Sequence, residues 1–246
     1  MLVERFRTPA RGLDRKSSAT DMVSDADRAA EHAISELLRR ERPDDGLVGE
    51  EGAAAPGRSG RRWVVDPLDG TTNFLYGIPH WAVSVALEDE HGPLAGLVLD
   101  PWRDELFRAE RGHGAEMVRG GSRPAPVRPL RVRDDTPLER SLIATGFAYD
   151  AALRETQART IVHVVPRVRD VRRAGAAALD LAWVAAGRLD GYWERGLNEW
   201  DWAAGKLLVV EAGGAVADLP GDPHGLAAGG ATIVPELLEL VADAER

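Results

Sequence analysis

The chain has 246 residues, of which 44% are hydrophobic and 29% charged, and its formal net charge is −9. Its composition is that of an ordinary globular protein, and its length suits one large domain or two closely packed subdomains. No stretch approaches the roughly 20 apolar residues of a membrane helix, and the N-terminus lacks the apolar core of a secretory signal. The absence of cysteine excludes disulfide scaffolds, zinc–thiolate sites and cysteine nucleophiles, and it fits a cytoplasmic location.

Predicted helices and strands alternate along the chain. Apolar residues at helical spacing predict a helix over 25–41, which Pro43 ends. The face expected to be buried consists of Ala29, Ala30, Ala33, Ile34, Leu37 and Leu38. A β-branched run predicts a strand at 63–65, and two paired strands are expected around a turn at 90–93. The other predicted elements are strands at 81–88, 94–99, 105–109, 142–144, 189–194 and 215–217, and helices at 176–186 and, as an amphipathic helix, 201–212. The fold class is therefore α/β, in the sense of mixed α+β.

Acidic residues gather at the ends of these predicted elements. Asp66 and Asp69 follow the strand at 63–65, and the other such residues are Glu50, Glu51, Asp201, Asp21, Asp25 and Asp27. Strand ends are where α/β proteins collect functional groups, and oxygen ligands without cysteine suit Mg²⁺, Mn²⁺ or Ca²⁺ rather than zinc. Gly70 lets a ligand approach the backbone, and Thr71 follows at an expected helix start, where free amides bind anions. The pattern indicates a metal-plus-phosphate site.

Each feature also has a purely structural interpretation. Asp69–Gly70 is an ordinary turn dipeptide, and Ser24 with Asp27 resembles a helix capping box. Asp201 could be a helix N-cap, and Glu50–Glu51 a solvated loop. His80 is expected to be a partly buried structural histidine. A solvated face is expected for the arginine cluster, which consists of Arg167, Arg169, Arg172 and Arg173. The coincidence of four acidic groups in one chain favours the functional interpretation.

Four segments of the chain match motifs of a known family in order and spacing. They are WVVDPLDGTTNF at 63–74, EWDWAAG at 199–205 with EAGG at 211–214, KSSATDMVSDAD at 16–27, and GEE at 49–51. Over roughly residues 16 to 220 the chain resembles the inositol monophosphatase family of Mg²⁺-dependent, lithium-sensitive phosphatases. The resemblance implies a layered α-β-α-β-α sandwich and a single phosphatase domain over 1–246, with subregions at about 1–128 and 129–246. It also implies a homodimer, although only 15 residues precede the first motif where family members carry a full helix.

The resemblance assigns roles residue by residue. The ligands implied for two Mg²⁺ ions are Glu50, Asp66, the Leu68 carbonyl, Asp69 and Asp201, with a third, weaker ion near Glu50. The residues implied in catalysis are Asp27, Thr71 and Glu50, the first two as the pair that activates the attacking water. The implied substrate contacts are Asp69, Gly70, Thr71, Ala176 and Glu194. The residues expected to contact the metal ligands without binding the metal themselves are Lys16, Asp21 and Glu51.

The resemblance implies Mg²⁺-dependent hydrolysis of a small phosphorylated metabolite, inositol-1-phosphate first, by in-line attack of a metal-activated water. Two cations would offset the repulsion between a phosphate dianion and this acidic protein. Mn²⁺ is expected to substitute and Li⁺ to inhibit. The alternatives are histidinol phosphate, fructose 1,6-bisphosphate, NADP or 3′-phosphoadenosine substrates, or a non-catalytic metal- or partner-binding protein. Neither a membrane nor, given the net charge, a nucleic acid is expected as a partner.

Overall fold

The computed structural model describes residues 1–9, 11–15, 22–120 and 126–245. The helices are α1 (Leu2–Arg5), α2 (Asp25–Glu41), α3 (Thr71–Leu75), α4 (Ala151–Val164), α5 (Ala177–Ala185), α6 (Glu199–Glu211) and α7 (Ile233–Ala244). The strands are β1 (Asp14–Arg15), β2 (Met22–Val23), β3 (Gly46–Gly49), β4 (Ala54–Ala55), β5 (Arg62–Asp69), β6 (Ala82–Asp89), β7 (Gly92–Asp100), β8 (Glu105–Glu110), β9 (Gly114–Arg119), β10 (Val127–Pro129), β11 (Leu142–Thr145), β12 (Asp170–Arg172), β13 (Gly191–Arg195), β14 (Ala215–Leu219) and β15 (Gly225–Gly229). Within these ranges, no helix is long and apolar enough to cross a membrane.

Two large sheets, a small two-stranded sheet of β1 and β2, and three helical layers build the molecule. The first sheet has eight strands in the order β10-β9-β8-β7-β6-β5-β3-β4, and the second has five in the order β12-β11-β13-β15-β14. Helices α5 and α6 lie between the sheets and contact both, while α2 packs on β5 and α7 packs on β14 and β15 with α4 beside it. The predicted α-β-α-β-α sandwich is therefore confirmed. The two-subregion division stays a prediction.

The central helix α6 differs from its prediction. It begins at Glu199 rather than Asp201, and residues 203–205 and 207–209 are buried in consecutive runs. Burial of consecutive residues is incompatible with a single apolar face, so the expected amphipathic character is wrong: a sheet covers each side of the helix. Small residues make this possible, because a Cβ on Gly205 would stand 2.6 Å from Leu181 and one on Gly96 would stand 3.0 Å from Ala204.

Helix α2 has its predicted bounds, but only part of its predicted face is buried: Ala30 is buried, and Ile34 and Leu38 pack against the core. Ser24 caps its start with a side chain that accepts from the Ala26 amide. Ala33 and Leu37, which were expected inside, are exposed. The buried side chains include Asp27, Glu31 and Ser35 instead. The helix therefore turns a polar stripe inward, toward β5 and the loop after β3.

The strands around the predicted motif are longer than the sequence pattern indicates. Strand β5 continues to Asp69 through a register shift between Asp66 and Asp69 where it pairs with β6. The predicted pairing of β6 with β7 is confirmed as antiparallel, with a tighter turn than 90–93. The helices α4 and α7 and the strand β15 were not predicted. All five residues of β15, Gly-Leu-Ala-Ala-Gly, are buried, yet glycine and alanine are poor strand formers, so propensity conceals this strand.

Candidate metal and phosphate site

The acidic residues of the motifs converge at one edge of the first sheet. Strands β3 and β5 run parallel, so their carboxyl ends meet. Glu50 directly follows β3, and its amide donates to the Val65 carbonyl at 3.1 Å. Asp66 and Asp69 flank the register shift at the end of β5, and Asp201 lies in the first turn of α6. The sequence signals from three of the four matching segments therefore come together in space.

The electrostatics of this cluster are strongly unfavourable for metal-free carboxylates. Burial raises the pKa of Asp66 well above its ordinary value, and the charges of Glu50, Asp69 and Asp201 raise it further. Burial likewise raises the pKa of Asp69 to about 8. Burial and then the Glu50 charge raise the pKa of Asp201. Closely spaced carboxylates of this kind repel one another unless a proton or a cation lies between them.

The donor set fits a hard divalent cation. It consists of carboxylate and carbonyl oxygens, the ligands that Mg²⁺ and Mn²⁺ prefer. Across residues 1–9, 11–15, 22–120 and 126–245, however, no three acidic or histidine side chains already form a closed group that could hold a metal ion. The carboxylates instead accept backbone hydrogen bonds, such as the 2.9 Å bond from the Leu68 amide to Asp66 Oδ1. The carboxylates are therefore near enough to raise one another's pKa, but their oxygens do not yet converge on one point as the ligands of a bound ion would.

Asp201 and Asp69 illustrate how the carboxylates are held. Asp201 Oδ2 accepts from the Asn198 amide at 2.7 Å, and Asn198 is the N-cap of α6, so the interpretation of Asp201 itself as the N-cap is wrong. Asp69 reaches across to the start of α5. Its Oδ1 accepts from the Ala177 amide at 3.0 Å, and its Oδ2 accepts from the Ala178 amide at 2.9 Å. Asp69 thus links the end of β5 to a helix of the central layer.

The Thr71 hydroxyl lies between two acceptors. Its Oγ is 2.9 Å from Asp27 Oδ1 and 3.0 Å from the Leu68 carbonyl. Asp27 is fully buried, and its other oxygen accepts from the backbone amide and hydroxyl of Ser24 at 2.9 and 2.6 Å. Asp27 is therefore both the capping-box acid and the partner of Thr71. A hydroxyl whose proton points to a carboxylate keeps lone pairs that can accept a proton from water.

The backbone at Gly70 forms a tight corner beside the cluster. Gly70 has φ +88°, and a Cβ there would stand 3.1 Å from the His80 carbonyl and 3.2 Å from the Ala176 Cβ. It precedes α3 as its N-cap, and the first amides of a helix have no acceptor within the helix. Gly70, Thr71 and Ala176 are consequently neighbours, and this corner can receive an anion.

Glu194 lies on β13, on the second sheet. The Tyr192 hydroxyl donates to Glu194 Oε2 at 2.6 Å. A Cβ on Gly146 would stand 1.9 Å from the same oxygen, so only glycine leaves room for this carboxylate. Burial raises the pKa of Glu194 to about 7, and the nearby Arg173 charge lowers it in part. The Glu194 charge also contributes to the raised pKa of Asp201.

The remaining predicted residues are Glu51, Lys16, Asp21, His80 and the four arginines. The Glu51 amide donates to Glu31, while Lys16 and Asp21 lie outside the described residues. His80 is buried, with its Nε2 3.6 Å from Asp180 Oδ1. The arginine cluster is mixed: Arg172 pairs with Asp170 at the surface, whereas Arg173 is close enough to Glu194 to affect its pKa.

Sequence reasoning missed two residues of this region, Glu31 and Tyr192. Glu31 stands four residues after Asp27, on the same face of α2, and helical spacing could have found it. Tyr192 stands two residues before Glu194, on the same face of a strand, and strand alternation could have found it. Both were overlooked because a buried acid and a buried tyrosine look like ordinary helix and strand residues when they are read singly.

The chain is similar to known proteins in both sequence and structure. The profile of the Inositol monophosphatase family matches residues 1–245, a wider span than the 16–220 inferred from the motifs. An inositol-1-monophosphatase of Rhizobium meliloti is 48% identical over 213 residues, covering 85% of this chain and 76% of the relative. The Nus factor SuhB of Pseudomonas aeruginosa is 46% identical over 217 residues, covering 84% and 75%. The crystal structure of the extragenic suppressor protein suhB from Bartonella henselae superposes with a TM-score of 0.87 at 41% identity, covering 98% of this chain and 92% of that one.

These similarities extend over nearly the whole chain and all the motifs. They confirm the predicted enzyme class, a phosphoric monoester hydrolase. The chain belongs to the inositol monophosphatase family.

Proposed function

We propose that this protein hydrolyses inositol-1-phosphate to inositol and phosphate in a Mg²⁺-dependent reaction. The observation that carries the proposal is the cluster of four carboxylates, Asp66 with Glu50, Asp69 and Asp201, beside the Thr71–Asp27 pair. The name of the Rhizobium meliloti relative supports the substrate. The acidic cluster supports the metal, because buried carboxylates that raise one another's pKa need a cation to become ionised together.

The chain's own residues would hold two cations. Glu50, Asp66 and the Leu68 carbonyl are the proposed ligands of the first ion. Asp66, Asp69 and Asp201 are the residues that would hold the second, so that Asp66 is proposed as a ligand for both. When bound, Mg²⁺ supplies positive charge to the phosphate oxygens and lowers the pKa of water. Mn²⁺, with the same preference for oxygen, would substitute, and Li⁺ is the proposed inhibitor.

Thr71 and Asp27 would handle the proton of the attacking water. The Thr71 hydroxyl donates to Asp27 and can accept a hydrogen bond from a water on its other side. As the water attacks, its proton would pass to Thr71 Oγ while the Thr71 hydroxyl proton passes to Asp27 Oδ1. General base assistance of this kind typically contributes 10²- to 10⁴-fold in rate.

The substrate would bridge the two sheets. The amides of Gly70 and Thr71 would bind the phosphate at the corner before α3. Asp69, Glu194 and the backbone at Ala176 would accept hydrogen bonds from the polyol hydroxyls. A site that offers acceptors to substrate hydroxyls discriminates strongly against analogues without them, because its polar groups are then left unpaired.

The experiment is a panel assay of phosphate release with and without Mg²⁺. The panel holds both enantiomers of inositol-1-phosphate, histidinol phosphate, fructose 1,6-bisphosphate, NADP and 3′-phosphoadenosine 5′-phosphate. We expect Mg²⁺-dependent, Li⁺-inhibited release led by inositol-1-phosphate, and we expect Asp66→Asn to abolish it. Release led by another ester would refute the substrate alone. Release from none of them, or normal activity of Asp66→Asn, would refute the mechanism.

The homodimer implied by the resemblance is also part of this proposal. Sedimentation velocity of the purified protein at micromolar concentration tests it. A single species near twice the 26.6 kDa chain mass is the expected result, and a monomer at the same concentration would contradict it.

A further inference from the structure

Helix α2 carries a second buried carboxylate one turn after Asp27. Glu31 is 5% exposed. Its Oε2 accepts from the Glu51 amide at 2.8 Å, and its Oε1 accepts from the Ala53 amide at 2.8 Å. A single side chain thus receives two backbone donors of the loop that follows β3. Hydrogen bonds from amides to a charged carboxylate are stronger than those between neutral groups.

The loop is shaped to receive this carboxylate. A Cβ on Gly49 would stand 2.2 Å from Glu31 Oε2, so the glycine leaves the space that the carboxylate fills. The Gly49 amide donates to the Ala53 carbonyl at 2.7 Å. The turn over 49–53 is therefore closed on itself and fastened to α2 through Glu31.

Glu50 lies inside this turn, and its backbone is held from two directions. Its own amide donates to the Val65 carbonyl of β5 at 3.1 Å. The next amide in the chain, that of Glu51, donates to Glu31 on α2. The Glu50 main chain is consequently fixed between a strand of the first sheet and the helix that covers it. A carboxylate on a backbone fixed in this way has few conformations to lose when it binds a cation.

We propose that Glu31 is a positioning residue for the metal site: it holds the turn that carries Glu50 and so sets the affinity for the first cation. The inference rests on the proposed function, in which Glu50 is a ligand. Since Glu31 and Asp27 lie on one face of α2, this helix would position both the ligand turn and the proton-accepting pair. Loss of a group that orients a metal ligand typically lowers metal affinity or activity 10- to 100-fold.

The test measures metal binding directly, by Mn²⁺ electron paramagnetic resonance on metal-stripped protein. In Glu31→Gln, the amide NH₂ must face a backbone N–H of the turn, so one of the two hydrogen bonds is lost. We expect Mn²⁺ affinity to fall about 10-fold or more, with the KM for the ester at saturating metal within about twofold of wild type. The matched control is Glu36→Gln on the same helix, since Glu36 is 66% exposed and pairs with His32. Its Mn²⁺ affinity should not change.

Gly49→Ala tests the same contact from the other side. The added methyl group displaces the Glu31 carboxylate without changing any charge, and we expect the same loss of Mn²⁺ affinity. Thermal melts of the metal-free variants establish that each is folded. If Glu31→Gln is not folded, Gly49→Ala and the shorter acid in Glu31→Asp give the measurement instead.

Three outcomes would overturn the proposal. They are wild-type Mn²⁺ affinity in folded Glu31→Gln, an equal loss in Glu36→Gln, and a raised KM for the ester with metal affinity intact. Glu50→Gln separates this inference from the proposed function. If Glu50→Gln binds Mn²⁺ normally, the ligand assignment fails. If it binds weakly while Glu31→Gln binds normally, only the role of Glu31 fails.

Discussion

The buried carboxylate of Glu194 makes the folded protein less stable as the pH rises. Burial raises its pKa from 4.5 to about 7, so between these values the folded state holds a proton that the unfolded state has released. Stability falls with pH wherever the folded state binds more protons. The contribution of Glu194 is therefore fully present below pH 4.5 and lost as the pH rises to about 7. A shift of this size corresponds to roughly 3 kcal/mol.

Glu194→Gln removes this titration and keeps the shape of the side chain. The Tyr192 hydroxyl still finds an amide oxygen to which it can donate, and Gly146 still leaves the space. We expect the variant to be more stable than wild type at pH 8 by up to about 3 kcal/mol, and the advantage to shrink toward zero at pH 5. If Glu194 contacts the polyol, the KM for inositol-1-phosphate rises in the same variant, a trade of stability against function.

Urea denaturation in EDTA at pH 5, 6, 7 and 8 measures the free energy of unfolding without metal. The control is Glu239→Gln, which removes a charge from an exposed position on α7. The reasoning is refuted if the stability difference between Glu194→Gln and wild type is the same at pH 5 and pH 8. It is equally refuted if Glu239→Gln shows the same pH-dependent gain.

Three further outcomes follow from the site. Thr71→Val should lower the rate of single-turnover phosphate release by about 10²- to 10⁴-fold, while its Mn²⁺ affinity stays within twofold of wild type. A rate near wild type would exclude Thr71 from proton handling. Gly70→Ala forces a side chain to φ +88° and against the His80 carbonyl, and should cost more than the 1–2 kcal/mol of a left-handed backbone alone. Gly112→Ala is its control, because Gly112 has φ +78° and no atom within 4 Å of its Cβ position; equal losses in urea melts would contradict the close contact. Since burial raises the pKa of Asp69 to about 8, Mg²⁺ affinity measured by calorimetry should increase by up to about tenfold per pH unit between pH 6 and 8, and a flat profile would argue against Asp69 as a ligand.

Local signals in the sequence predict some elements accurately. The bounds of α2 could be predicted because Ser24 starts the helix and Pro43 ends it, and both act through the adjacent backbone. The acidic positions at strand and helix ends could be predicted because they interrupt otherwise regular patterns. Their exact convergence is less accessible. The positions of the acidic residues indicate a metal-plus-phosphate site, but only the family resemblance assigns Glu50, Asp66 and Asp201 to the same ligand set.

Non-local packing accounts for what the sequence conceals. The prediction for the buried face of α2 is wrong only in part. The apolar periodicity includes Ala33 and Leu37, which are exposed, whereas Asp27 and Glu31 face inward to donors that lie elsewhere in the chain. The true start of α6 at Glu199 depends on Asn198, which reads as an ordinary loop residue. Strand β15 is stabilised by burial between its neighbours rather than by its own residues.

The order of the clustered carboxylates along the chain has a consequence for how this enzyme folds during its synthesis. With the ligands proposed above, Glu50, Asp66 and Asp69 come from the first sheet, and Asp201 comes from the helix layer that is translated much later. A ribosome-bound chain that ends before α6 carries an incomplete set of carboxylates that repel one another, so tight cation binding must wait for the last of them. With these proposed ligands, tight cation binding would therefore follow the packing of α6 against the first sheet.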